Sequence, residues 1–182
     1  MTSFLRWDEL LSTRAPWSFF VAGRERDLDS FVLGKPNYPG LIVRLIRGRR
    51  CSTRDQFFQE WAAAFQFPHY FGHNWDAFEE CINDLEWLPG KAYVTFLSDV
   101  GDVLNHETDD FRVLIDTLMM AAQEWRSPER HQSPHQEVPF RVVFHCSAEE
   151  QGPCQKRLEL AGSGAELRLL IRAPGDFDEP EE

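Results

Sequence analysis

Apolar runs alternate with amphipathic segments along this chain. Runs rich in β-branched and aromatic residues predict buried strands at residues 17–23, 41–48, 91–97 and 140–146. Residues 165–171 predict one more strand, at an edge of the sheet. Segments with helical periodicity separate most of these runs, and strands separated by helices favour parallel pairing. The pattern therefore predicts an α/β fold.

Helix signals are strongest in the middle of the chain. Thr53 and Gln56 have capping-box spacing at the start of a segment whose aromatic residues recur at i, i+4 and i+8. Residues 109–125 predict a long helix, and residues 5–11 and 26–33 predict short ones. These assignments leave one further helix, which has an unusual distribution of charge.

This helix, predicted at residues 75–85, is acidic along one side. At about 100° per residue, its apolar side chains share one face, namely Trp75, Phe78, Cys81, Ile82 and Leu85. The opposite face carries Asp76, Glu79, Glu80 and Asp84. Acids four residues apart destabilise a helix by roughly 0.2–0.5 kcal/mol per pair, although the helix dipole favours an acid in the first turn. The pattern fits either an ordinary solvated helix surface or a docking surface for a basic partner.

Catalytic and metal-binding interpretations have little support. Two carboxylates act as acid and base only where a cleft raises the pKa of one of them, and carboxylates on one exposed helix share the same solvent. The pairs His69–His73 and His131–His135 have i, i+4 spacing, but both fall in predicted loops without a familiar ligand pattern. We therefore predict that the chain is not an enzyme and has no metal site or cofactor.

Composition restricts the partners. Acidic residues outnumber basic ones by 30 to 19, which gives a formal net charge of −11. Such a chain lacks the basic footprint that binding to nucleic acid or anionic lipid requires, but it permits a basic protein as partner. No run approaches the roughly 20 apolar residues of a membrane span. The N-terminus lacks a signal-peptide layout and the four Cys form no C-x-x-C motif, so we predict a cytoplasmic protein with reduced thiols.

The stretch FPHYFGHNWDAFEECI, residues 67–82, resembles the central segment of the barstar family of intracellular ribonuclease inhibitors. The family pattern reads here as Tyr70, Phe71, Gly72, His73, Asn74, Trp75, Asp76, Ala77, and Glu80 before Cys81. The order of strands and helices matches over residues 41–146. The resemblance implies a small parallel sheet flanked by helices. Residues 1–40 and 147–182 are then extensions that add edge strands, the second ending in a disordered acidic tail.

The resemblance also implies a mode of action. Barstar-like proteins block the active site of a guanyl-type ribonuclease with this loop and helix, and their acids occupy the places of RNA phosphates. Asp76 and Glu80 match the key helix acids, and Glu80 is one methylene longer than the usual Asp. Gly72 is expected to supply special backbone angles and Asn74 to cap the helix. Trp75 is either buried or a contact. The expected partner-binding residues are Tyr70, Phe71, Gly72, Asn74, Trp75, Asp76, Glu79 and Glu80.

The favoured hypothesis is an inhibitor of a basic ribonuclease of the barnase type, or of a related toxin. The alternative is a barstar-fold interaction module that binds another basic partner without inhibiting a ribonuclease. The two terminal extensions motivate this alternative.

Overall fold

Five parallel strands form one sheet in the computed structural model, which describes residues 3–127, 137–168 and 170. The strands are β1 (Ser18–Ala22), β2 (Leu41–Arg47), β3 (Ala92–Ser98), β4 (Phe140–Cys146) and β5 (Glu166–Arg168). Their order across the sheet is β2-β3-β4-β1-β5, and every neighbouring pair is parallel. The predicted α/β fold with a parallel sheet is confirmed.

The N-terminal strand lies inside the sheet. β1 pairs with β4 in the register Phe20↔Phe144 and with β5 in the register Phe20↔Leu167. The prediction that both extensions add edge strands is therefore wrong for β1 and right for β5. An interior position suits β1 because four of its five residues are buried and none is charged.

Helices cover both faces of the sheet. One face packs against α3 (Arg54–Phe65), α4 (Trp75–Asp84), α5 (Thr108–Arg126) and α6 (Gln151–Leu160). The other face packs against α1 (Trp7–Leu10) and α2 (Glu25–Leu33). No helix in these described ranges is long and apolar enough to cross a membrane.

Alternation along the strands divides the core into two layers. Phe20 belongs to the layer under α3–α6, whereas its neighbour Phe19 belongs to the layer under α1 and α2. In the second layer, the ring of Phe31 stacks on Trp7 with centroids 5.1 Å apart and lies edge-on to Phe96 at 6.0 Å. Residues before β2 therefore bury one face of the central strands.

Helix boundaries agree with most of the sequence signals. The predicted capping box forms at the start of α3, since the Thr53 hydroxyl accepts from the Gln56 N–H and the Gln56 side chain accepts from the Thr53 N–H. The sequence pattern assigns no element to residues 151–160, where the structure has α6. Pro153 is tolerated because it falls in the first turn, where the N–H has no partner within the helix. The predicted acidic tail, residues 174–182, lies outside the described residues.

We expect Phe31→Ala to lower the free energy of unfolding by about 3 kcal/mol, because it opens a cavity between α2 and the sheet. Urea denaturation measures this change. Leu33→Ala in the same helix is the control, since Leu33 is 84% exposed. Equal stability of the two variants would contradict the role of α2 in covering the sheet.

Candidate functional site

The start of α4 is fixed by its cap. Asn74 Oδ1 accepts a hydrogen bond from the Ala77 N–H at 2.9 Å, and Asn74 Nδ2 donates to the Gly72 carbonyl at 3.2 Å. One side chain thus satisfies a free N–H of the first turn and holds the preceding loop against the helix. The prediction that Asn74 caps the helix is confirmed.

Gly72 has a different role from the predicted one. Its φ is not in the left-handed region, whereas the neighbouring His73 has φ 51°. The expectation that Gly72 supplies special backbone angles is therefore wrong. A Cβ at position 72 would lie 2.8 Å from Asn74 Nδ2, so the absence of a side chain leaves room for the cap.

The inner face of α4 packs into the core as its periodicity predicts. Phe78, Cys81, Ile82 and Leu85 are buried, and the Phe78 ring lies 5.2 Å from the rings of Phe57 and Trp61. Burial raises the pKa of the Cys81 thiol to about 11, and the charges of Glu80 and Asp84 act in the same direction. Cys81 is thus a small apolar core residue rather than a reactive thiol.

Trp75 joins the core to a polar anchor. Its ring packs at 5.1–5.3 Å from the rings of Phe58 and Phe57. Its indole N–H donates to Asp110 Oδ1 at 3.0 Å, and Arg54 donates to Asp110 Oδ2, with Nη2 at 2.7 Å. Of the two predicted placements of Trp75, the structure supports the buried side. Sequence reasoning missed this link because Asp110 is 35 residues from Trp75 and 56 from Arg54.

The two aromatic residues of the loop have opposite environments. Tyr70 is 64% exposed, whereas Phe71 is 7% exposed and packs against Phe58 and Phe67 with centroids 5.9 and 4.9 Å away. Only Tyr70 offers an exposed ring to a partner. Phe71, which is among the expected partner-binding residues, instead fills the space between α3 and the loop.

The outer face of α4 presents unpaired carboxylates. Asp76, Glu79, Glu80 and Asp84 are all exposed, and none of them forms a salt bridge or side-chain hydrogen bond within the described ranges. Loss of hydration raises the pKa of Tyr70, and nearby Cys81, Asp84 and Glu80 raise it further. The phenol is therefore close to the helix acids. We call these four carboxylates together with Tyr70 the acidic surface.

The two histidines of the loop lie at the surface. His69 and His73 are exposed, and the His73 ring packs on Phe71 at 4.8 Å. Residues 3–127, 137–168 and 170 contain no group of three or more His, Cys, Asp or Glu side chains suited to a metal ion. The pair His131–His135 lies outside the described residues.

Comparison with protein families gives one match. The family model described as Barstar (barnase inhibitor) matches residues 41–145, more than half of the chain. The match runs from β2 to β4 and includes every residue of the acidic surface. It leaves out β1, α1, α2, α6 and β5.

Comparison with solved structures supports the fold alone. The crystal structure of Cdc6p from Pyrobaculum aerophilum is similar over 84% of this chain, with a TM-score of 0.54 and 12% sequence identity. The chain spans 38% of that protein's length. A search of curated proteins gives no match.

We expect Trp75→Phe to reduce the free energy of unfolding by about 2 kcal/mol, because Asp110 loses a hydrogen bond to its buried carboxylate. Chemical denaturation measures the loss. Tyr70→Phe, a substitution on an exposed ring, is the control and should change stability by less than about 0.5 kcal/mol. Unchanged stability of Trp75→Phe would show that the indole is not an anchor.

Glu80→Gln should stabilise the isolated protein. Glu80 is four residues from both Asp76 and Asp84, so neutralising it relieves two repulsive pairs and contributes about 0.5 kcal/mol. Thermal and urea unfolding at low salt measure the gain, which should shrink in about 1 M NaCl because salt screens exposed charges. A loss of stability, or a gain independent of salt, would contradict this account.

Proposed function

This chain belongs to the barstar family, and we propose that it inhibits a basic, guanyl-type ribonuclease by covering its active site with the acidic surface. The observation that carries the proposal is the set of exposed α4 carboxylates, which have no cationic partner within the described ranges. A helix gains no stability from such neighbours. The grouping of these carboxylates is explained if they pair with cationic side chains of another protein.

The chemistry of the partner follows from these carboxylates. A ribonuclease holds RNA phosphates with Arg, Lys and His side chains, and carboxylates form charge-assisted, often bidentate, hydrogen bonds with the same groups. We assign the main contacts to Asp76 and Glu80, with Glu79 and Asp84 beside them. Tyr70 supplies an exposed aromatic ring, and tyrosine is one of the residue types enriched at the energetic centre of interfaces. Binding of this kind blocks substrate and requires no catalytic step by the inhibitor.

The remaining loop residues support the surface indirectly. Asn74 and Gly72 set the course of the chain into α4, and the Trp75–Asp110 hydrogen bond holds the first turn. Phe71 locks the loop onto α3. A rigid surface loses less conformational entropy on binding, and that favours affinity.

Long-range charge should accelerate the encounter. The net charge of −11 attracts a basic partner before contact. The association rate should therefore fall as ionic strength rises. An inhibitor that remains in the cytoplasm would protect the producing cell from a ribonuclease that it makes.

A second candidate is binding to another basic protein. It is favoured by the buried Phe71 and by the longer side chain of Glu80, since both alter the contact surface that the family resemblance implies. The same carboxylates would be used, and ribonuclease inhibition would be absent.

The test compares RNA cleavage by a basic guanyl-type ribonuclease in the presence of wild type and of Asp76→Asn/Glu80→Gln. We expect inhibition by the wild type, and each substitution should weaken binding at least about tenfold because a charge-assisted hydrogen bond is lost. Asn and Gln keep the side-chain shape, so the change is one of charge. The same comparison by surface plasmon resonance gives the association rates.

The matched control is Glu25→Gln/Asp29→Asn on α2, which removes the same charge from the opposite face of the sheet. It should inhibit nearly as well as the wild type. Equal inhibition by wild type and the α4 variant would exclude the acidic surface as the contact. Binding of a basic protein that survives without any inhibition of cleavage would favour the second candidate.

A further inference from the structure

A cluster of arginines lines a cavity at the amino-terminal edge of the sheet. The cavity has a volume of about 500 Å³ and lies where β1 and β4 begin and α5 ends. Its polar wall includes Arg14, Arg126, Arg141 and Gln123. The clustering is unexpected in a chain with a net charge of −11.

Arg141 is a buried cation without an acidic partner in the described ranges. It is 2% exposed, and its guanidinium donates to the carbonyls of Ser12 and Phe140. Its Nε has no hydrogen-bond partner among the described residues. Burial lowers the pKa of Arg141 to about 10, and the nearby charge of Arg126 acts in the same direction. The Arg141 guanidinium is therefore still cationic at neutral pH. An unpaired buried charge is unfavourable, so an anion bound beside this guanidinium would be stabilised.

Several other arginines of this protein have carboxylate partners. Examples are the salt bridges Arg47–Glu60 at 2.6 Å, Arg49–Asp99 at 3.1 Å and Arg54–Asp110 at 2.7 Å. Glu166 also lines the cavity, but its carboxylate already forms a salt bridge with Arg168 at 2.5 Å. In the described part of the chain, no carboxylate pairs with Arg14, Arg126 or Arg141.

The rest of the cavity wall is apolar. It is formed by Ala15, Pro16, Trp17 and Ala122. The ring of Trp17 is held edge-on to Phe144 at 6.2 Å and is only partly buried. A fixed aromatic ring beside guanidinium groups suits a ligand with an anionic end and an apolar body.

We propose that this cavity binds a small organic oxyanion, with its carboxylate or phosphate group between Arg14, Arg126 and Arg141 and its apolar body against Trp17. Guanidinium groups bind both oxyanions with paired hydrogen bonds. The site is separate from the acidic surface, because it uses the end of α5 and strands β1 and β4 rather than α4. Binding of an oxyanion in this cavity therefore does not depend on ribonuclease inhibition by the acidic surface.

The test is isothermal titration calorimetry of the full chain with four probes, namely phenyl phosphate, benzoate, inorganic phosphate and benzyl alcohol. We expect at least one of the two aromatic oxyanions to bind with one-to-one stoichiometry, more tightly than inorganic phosphate, and benzyl alcohol not to bind. The preference between benzoate and phenyl phosphate identifies the oxyanion. Affinity should fall as salt rises, because the cavity is open to solvent.

Arg14→Gln and Arg126→Gln should each weaken binding of the preferred probe by about tenfold, since a charge-assisted hydrogen bond is lost. Both side chains are exposed, so the variants should unfold at the wild-type temperature without the probe. Arg112→Gln on the exposed side of α5 removes the same charge and should leave binding unchanged. Arg141 is left intact because it also holds the Ser12 carbonyl.

Two results would overturn the proposal. One is failure of both phenyl phosphate and benzoate to bind the full chain. The other is binding that Arg112→Gln weakens as much as Arg14→Gln and Arg126→Gln do, which would indicate a general charge effect. Equal affinity for inorganic phosphate and phenyl phosphate would exclude the role of Trp17.

Discussion

The structure depends on the requirement that a parallel sheet be buried on both faces. Strands β3 and β4 are buried along their whole length, so apolar cover is needed above and below them. Helices α3 to α6 supply one layer, and residues of the N-terminal segment supply the other through α1 and α2. Because β1 lies between β4 and β5, this segment is part of the sheet as well as its cover. Residues 41–145, which match the family model, and the N-terminal residues are thus packed around the same sheet.

The acidic surface has a definite position because α4 is held at several points. The aromatic side chains of its inner face fix its depth, the Asn74 cap fixes its first turn, and Asp110 links that turn to α5 and to Arg54 of α3. These contacts are made by the inner face and the N-terminus. The carboxylates of the outer face form no salt bridge or side-chain hydrogen bond within the described ranges. Their mutual repulsion destabilises the helix slightly.

The charges of this protein are distributed unevenly. Several arginines with a carboxylate partner join separate elements, as Arg47 at the end of β2 does with Glu60 of α3. Four carboxylates share the outer face of α4, whereas three arginines without carboxylate partners in the described ranges, Arg14, Arg126 and Arg141, line one cavity where β1 and β4 begin. The two regions are suited to ligands of opposite sign, so one small domain can present two chemically distinct surfaces.

Local sequence patterns located the strands and most of the helices, including the helix that carries the acids, but not α6. Hydrophobic periodicity located the strands and the acidic face, and the spacing of Thr53 and Gln56 located the capping box, because these features depend on neighbours a few residues apart. Other features emerge only when the chain is folded, namely the interior position of β1, the burial of Phe71 beside an exposed Tyr70, and the hydrogen bond from Trp75 to Asp110. Sheet order and side-chain partners of this kind join residues that are far apart in the chain. Local sequence pattern does not encode such long-range contacts, which form only when the two helical layers pack on the sheet.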